Sequence, residues 1–234
     1  MTVGRLDGWT VGRLEWWTVG MCLFLPTVQP SNRPSQDPWP VLDRASASFD
    51  TVNTLQADFV QIVDNPMIGD PDTTRGQLYQ QRPNFFEMRF SDPKSDRIVA
   101  DGKKLWLYTP STTPGQVIRT AIPSSGTSGP NLIGQFIENP RERYDARYVR
   151  ADSAGDAAVD VIALRPRGPR ATDLPYSAAT VWISRKDGLV RRIEIVESGG
   201  QERTITLRNL VVNRAIPARE FKFSPPAGTR VVDQ

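Results

Sequence analysis

Histidine is absent from all 234 residues. Without it there is no Ser-His-Asp triad, no histidine general base and no His-ligated zinc, so the commonest hydrolase and metalloenzyme designs are excluded. Cysteine is nearly as scarce. Cys22 stands alone, which rules out an internal disulfide and any CxxC metal or redox motif. Charge is not gathered in one place either: 29 Lys and Arg are interspersed with 26 Asp and Glu for a net charge of +3, a balance unlike that of a nucleic-acid binder. No apolar run approaches the ~20 residues that a membrane-spanning helix needs. Enzyme is therefore the weaker class, and no catalytic residue, metal ligand or cofactor is expected.

The first residues do not read as a fold. In "TVGRLDGWTVGRLEWWTVG", residues 2–20, TVGRL recurs eight positions on and TVG returns after a further eight. That period is too short, and the copies too few, for a stacked solenoid; it reads as a translated tandem DNA repeat, with Met21 as an alternative initiator. From Trp16 to Val28 an apolar run follows Arg5 and Arg13, as in a secretory signal, although no good small-x-small cleavage pattern accompanies it. Residues 1–30 are expected to be an atypical, signal-like leader. Cys22 is expected to belong to its apolar part and to carry no lipid, because Met21 stands where a lipoprotein signal has a small residue. Residues 31–40, "SNRPSQDPWP", form a proline-rich linker. The folded domain is expected over 41–234.

What is present in that domain is mostly a period of two. One amphipathic helix opens it, with Leu42, Ala45, Phe49 and Val52 at helical spacing behind Asp37 and Pro38. From Leu55 onward apolar residues alternate, as in "LQADFVQIV", where Leu55, Ala57, Phe59 and Val63 share one parity. "RIVADGKKLWLY" and "ATVWISRKDGLVRRIEIVE" are hairpins turning at Asp101-Gly102 and Asp187-Gly188, dipeptides that tolerate positive φ. About ten or eleven strands joined by short turns predict an antiparallel meander curling into an incomplete barrel. One segment departs from this pattern. Between Ile122 and Arg143, Leu132, Ile133, Phe136 and Ile137 recur at helical spacing among glycines and prolines. A short apolar helix inside a meander has little to pack on except the barrel's open end, which predicts a lid; the plainer reading is a helix packed permanently on the sheet.

The densest apolar stretch is "QLYQQRPNFFEMRF", Gln77 to Phe90. Phe86, Met88 and Phe90 share one face, Phe85 lies on the other, and Pro83 bends or ends the strand beside Arg82. Two readings stand side by side: a packed sandwich core with Arg82 paired to Glu87 or Asp92, or an open apolar cavity with Arg82 at its mouth.

Four segments in order resemble one family: "LQADFVQ" (Leu55 to Gln61), "GQLYQQRPNFFEMRF" (Gly76 to Phe90), "IVADGKKLWLY" (Ile98 to Tyr108) and "FKFSPPAGTRVVD" (Phe221 to Asp233). The chain is similar here, over roughly Leu42 to Gln234, to the outer-membrane lipoprotein carriers of the LolA family. That resemblance implies an incomplete antiparallel β-barrel with an N-terminal helix and a short helical lid over a hydrophobic cavity. It implies a soluble periplasmic carrier that takes triacylated lipoproteins from an inner-membrane ABC transporter to an outer-membrane acceptor; a carrier that docks with two partners in turn is most simply a monomer. The resemblance also assigns Arg82 as the lid latch, hydrogen-bonded to lid backbone. Phe59, Leu78, Phe86, Met88, Phe90, Trp106 and Tyr108 are then expected to line the cavity, and Leu132, Ile133, Phe136 and Ile137 to form the lid. Other function classes compatible with the sequence are a lipoprotein sensor, a carrier of another amphiphile, and a histidine-independent esterase.

Overall fold

The computed structural model describes residues 36–67, 69–122, 131–169 and 171–234, besides Met1. The expected leader, most of the linker and residues 123–130 of the expected lid lie outside the described residues. The compact unit spans Ser35–Gln234.

Helix α1, Trp39–Asp50, starts inside the expected linker. The Asp37 carboxylate accepts the Trp39 amide at 3.1 Å, and Pro40 falls in the first turn, where a missing N–H costs nothing. Val41, Leu42, Ala45 and Phe49 are its buried stripe. After it come β1 (Thr54–Asp64), β2 (Asp72–Gln81), β3 (Phe85–Asp92), β4 (Lys94–Asp101), β5 (Lys104–Tyr108) and β6 (Gln116–Ala121). Two four-residue helices, α2 (Gly134–Ile137) and α3 (Pro140–Arg143), precede β7 (Tyr144–Ala154), β8 (Ala157–Pro166), β9 (Tyr176–Ser184), β10 (Val190–Glu197), β11 (Glu202–Val212) and β12 (Arg230–Asp233).

Among the described residues, all twelve strands join one sheet in the order β12-β6-β5-β4-β3-β2-β1-β11-β10-β9-β8-β7. The ends of this order are not paired to each other, so the barrel is incomplete, as expected. Twelve strands stand against the ten or eleven anticipated; β12 is four residues long behind a proline pair and leaves almost no periodic signal. It alone pairs in parallel, with Gln116–Arg119 of β6. Both anticipated Asp-Gly turns are present, with Gly102 at φ 93° and Gly188 at φ 72°.

The main core lies on the concave face. Leu55, Ala57 and Phe59 of β1, Leu78 of β2, Phe86, Met88 and Phe90 of β3 and the inner residues of β8 to β11 meet α1 and α2 in one apolar cluster. A smaller cluster of Ala154, Val159, Val161 and Trp182 lies on the convex side of β7 to β9.

Candidate functional site

Strand alternation sorts the apolar residues of β1 to β5 onto two faces. Leu78 is opposite Met88, and Phe86 is opposite Ala100, so these point together into the concavity. Phe59 meets Phe90 edge to face, with ring centroids 5.1 Å apart. Toward β4 and β5 the burial loosens, since Ile98, Leu105 and the covering residues Trp39, Ile122 and Leu132 are half-buried.

Trp106 and Tyr108 depart from the expected cavity lining. Val99 pairs with Trp106 and Arg97 with Tyr108, which places both aromatic rings on the convex face. There each sits 5.7 Å from the Phe223 ring. The reason lies in "LWLY": all four residues are apolar, so parity cannot say which pair faces inward, and the inward pair is Leu105 and Leu107. The Trp106 indole donates to Asp101 at 2.9 Å. Burial pushes the Asp101 carboxyl up, but that bond and the Lys104 and Lys103 amides outweigh it and hold it below the ordinary value. Asp101 is thus more than a turn residue. Phe85 explains the greasy outer side of β3, because it packs 5.4 Å from Phe221 of the closing segment.

The same convex surface holds Glu87, whose side chain is fully buried between two guanidiniums. Arg97 donates to it at 2.6 Å and Arg89 at 2.9 Å, while Arg89 also binds Glu220. Asp92 pairs with Arg75. Neither acid pairs with Arg82, whose carboxylate partners are instead Glu138 at 3.5 Å and Asp50 at 3.9 Å.

Arg82 lies in the turn between β2 and β3. Its backbone N–H donates to the Asn53 carbonyl at 2.9 Å. Its guanidinium donates to Val52 O at 2.9 Å and to Phe49 O at 3.1 Å, and it lies 4.8 Å from the centroid of the Phe49 ring. The backbone acceptors are therefore at the C-terminal end of α1, where helix carbonyls lack intrahelical partners and carry partial negative charge. Contact with the lid segment runs instead through the Glu138 carboxylate at 3.5 Å. The expected bond to lid backbone is replaced by this bridge between α1 and the residue that follows α2.

Glu138 belongs to a longer polar chain. Asn131 donates to Glu138 at 3.1 Å, and its carbonyl oxygen accepts from Gln80 of β2 at 3.0 Å and from the Gly134 amide at 2.8 Å. A Cβ on Gly134 would lie 1.9 Å from the Asn131 side chain, so this close approach needs glycine. Sequence reading missed Gln80, Asn131 and Glu138; an Asn three residues before Gly134 at the head of the lid helix was the available signal.

The lid residues all reach the concave face. Ile133, Phe136 and Ile137 are fully buried in its cluster, and Leu132 is packed against it. Phe136 lies 5.5 Å from Tyr176 and 6.4 Å from Tyr144. The Tyr144 hydroxyl donates to the Gln135 carbonyl at 2.8 Å and takes a 2.6 Å bond from Tyr176. Burial, with the Tyr176 bond, pushes the Tyr144 hydroxyl far above its ordinary pKa, so it remains a neutral donor.

Residues 50–224 match the family described as outer membrane lipoprotein carrier protein LolA. The chain belongs to this family. A LolA-family relative from Albidiferax ferrireducens, an outer-membrane lipoprotein carrier protein, is 31% identical over 192 residues, covering 79% of this chain and 86% of its own. Another, from Methylobacillus flagellatus and of the same name, is 26% identical with 84% and 93% covered. The solved structure of an uncharacterized conserved protein from Thermus thermophilus matches at TM-score 0.52 and 14% identity, over 85% of this chain and 100% of that one, a likeness of fold. LolA is thus a family of carriers, and among the described residues no helix of this member is long and apolar enough to cross a membrane.

Proposed function

We propose that this protein carries the acyl chains of lipoproteins on the concave face of its sheet and moves them through the periplasm. Its cargo is a triacylated lipoprotein, received from an inner-membrane ABC transporter and passed to an outer-membrane acceptor. The observation that carries this reading is the cover of the concave face. A four-residue helix, α2, rather than a second sheet, joins the apolar cluster that holds Phe86, Met88 and Phe90, and a short polar chain from Gln80 to Arg82 fastens it.

The energetics suit transient binding. Each methylene removed from water contributes about 0.8 kcal/mol, so exposure of three acyl chains in water costs tens of kcal/mol. A site that recovered all of it would never release, because non-covalent affinity saturates near ~20 kcal/mol. Entering chains must displace Ile133, Phe136 and Ile137 from their seats, and the lost lid packing offsets part of the gain. Phe and Met linings adapt to chains of differing shape. Arg82 and Phe86 are assigned the latch and the acyl contact.

Native mass spectrometry of the full chain with a synthetic triacylated lipopeptide tests the reading. One acylated molecule is expected to bind a monomer while the deacylated peptide does not. Equal binding of both, or of neither, would overturn it.

A further inference from the structure

Two irregularities in neighbouring strands carry arginines to the convex face. In β10 the pairing with β9 slips between Val190 and Arg192; Val190 and Ile193 are buried while Arg191 and Arg192 between them are both half-buried. In β11 the pairing with β1 slips between Gln56 and Asp58, opposite Val211 and Arg208. There Leu207 is buried, Arg208 and Asn209 are exposed, and Asn209 takes φ 51°. A β-bulge adds one residue to a strand and re-aims side chains locally. Each bulge here sets a polar pair on the face opposite Ile193 and Leu207, which point into the concave core.

These pairs and the β7–β8 turn line a pocket of 370 Å³. Arg192 lies 5.3 Å from the centroid of the Trp182 ring, and its Nε is buried without a hydrogen-bond partner. Asp187 engages Arg191. Among the described residues, Arg192 and Arg208 form no ion pair, and Asp156 is the one carboxylate in the lining. Asn209 is held in place by a 2.7 Å bond to Asp58. The Arg192 Nε, withdrawn from water and left without an acceptor, is costly, whereas Arg208 beside it is exposed. The planar fork of a guanidinium matches the oxygens of a phosphate group.

We propose that this pocket binds a phosphate-type oxyanion, from a phospholipid headgroup or from free phosphate, with Arg192 and Arg208 as its forked donors and Thr206 beside them. The site lies on the opposite face of the sheet from the acyl-binding face, so the two are expected to act independently.

Isothermal titration of the full chain with inorganic phosphate, and separately with phosphatidylglycerol or phosphatidylcholine vesicles, provides the test. Saturable binding of phosphate identifies the free anion as a ligand; binding of phosphatidylglycerol vesicles alone identifies the headgroup. In either case Arg192→Gln/Arg208→Gln is expected to weaken binding at least tenfold, with lipopeptide capture unchanged. The control Arg147→Gln/Arg219→Gln removes the same charge elsewhere and is expected to change binding less than twofold. Binding of neither probe, or an equal loss in the control, overturns the proposal. If the double variant does not fold, Arg208→Gln alone, at an exposed position, is expected to weaken binding at least threefold, and unchanged binding overturns it.

Discussion

Arg82 holds the Phe49 carbonyl of α1, the Val52 carbonyl just beyond it and the Glu138 carboxylate at once; the Glu138 contact is the one that reaches the lid segment, so its loss acts on the closed, empty state more than on a lid-open loaded one. Hydrogen bonds to a charged group contribute about 1.5–3 kcal/mol. Loss of that much from the closed state alone shifts the balance between release and retention roughly tenfold or more toward retention. Arg82→Leu is therefore expected to fold, to capture lipopeptide, and to transfer it to an acceptor membrane at least tenfold more slowly; a fluorescent lipopeptide transfer assay reads this. Arg82→Lys is expected to restore little, because one ammonium cannot span the acceptors that a guanidinium reaches. Asp160 gives a second prediction. Burial raises its carboxyl, but the Arg185 and Tyr148 hydrogen bonds prevail and hold it below the ordinary value. With a lowered folded pKa, its contribution is complete above the unfolded value of about 4 and is lost as pH falls through the folded one. Thermal melts between about pH 6 and 3 are expected to fall more steeply for the native chain than for Asp160→Asn.

At the scale of elements, the lid is held by a glycine as much as by its apolar residues. Gly134→Ala would drive its Cβ into Asn131 and break the chain from Gln80 to Glu138. Amide exchange at residues 134–138 is expected to quicken by tenfold or more, corresponding to about 1.4 kcal/mol, with β1 to β3 unchanged. Helix α1, the alternating strands and the Asp-Gly turns were legible in the sequence because each is a local pattern. Parity put Phe86, Met88 and Phe90 on one strand face, where Glu87 and Arg89 broke the tie, but the family resemblance was what turned that face, with Phe59 and Leu78, toward the concave side. In Leu105 to Tyr108 no polar residue broke it, and Trp106 and Tyr108 were placed on the wrong side. The bulges at Arg191 and Asn209 were illegible for a related reason. An extra residue in a strand depends on the partner strand's register, which no single segment records. Arg82 could be singled out, but its acceptors lie on α1 and beyond α2, far away along the chain.

For the whole molecule, the closing segment matters as a cover. Phe221 and Phe223 lie over Phe85, Trp106 and Tyr108, and Arg89 ties Glu220 to the buried Glu87. Phe221→Ala is expected to cost about 3 kcal/mol in denaturant unfolding and to raise binding of an apolar dye, because the ring is buried between β3 and the segment that carries it. The sheet order also dictates how the chain comes together. Strands β1 to β6 and β7 to β11 are each meanders of sequence neighbours, yet their common boundary is β1 against β11, where Asp64 faces Glu202. Closing a loop of that length costs roughly 4 kcal/mol of chain entropy before any contact repays it. The two meanders can thus zip early, whereas their junction waits for β11, placing folding on the order of milliseconds to seconds. Until that junction forms, the greasy inner surfaces of both halves face water together, and this interval is when the chain is most open to aggregation.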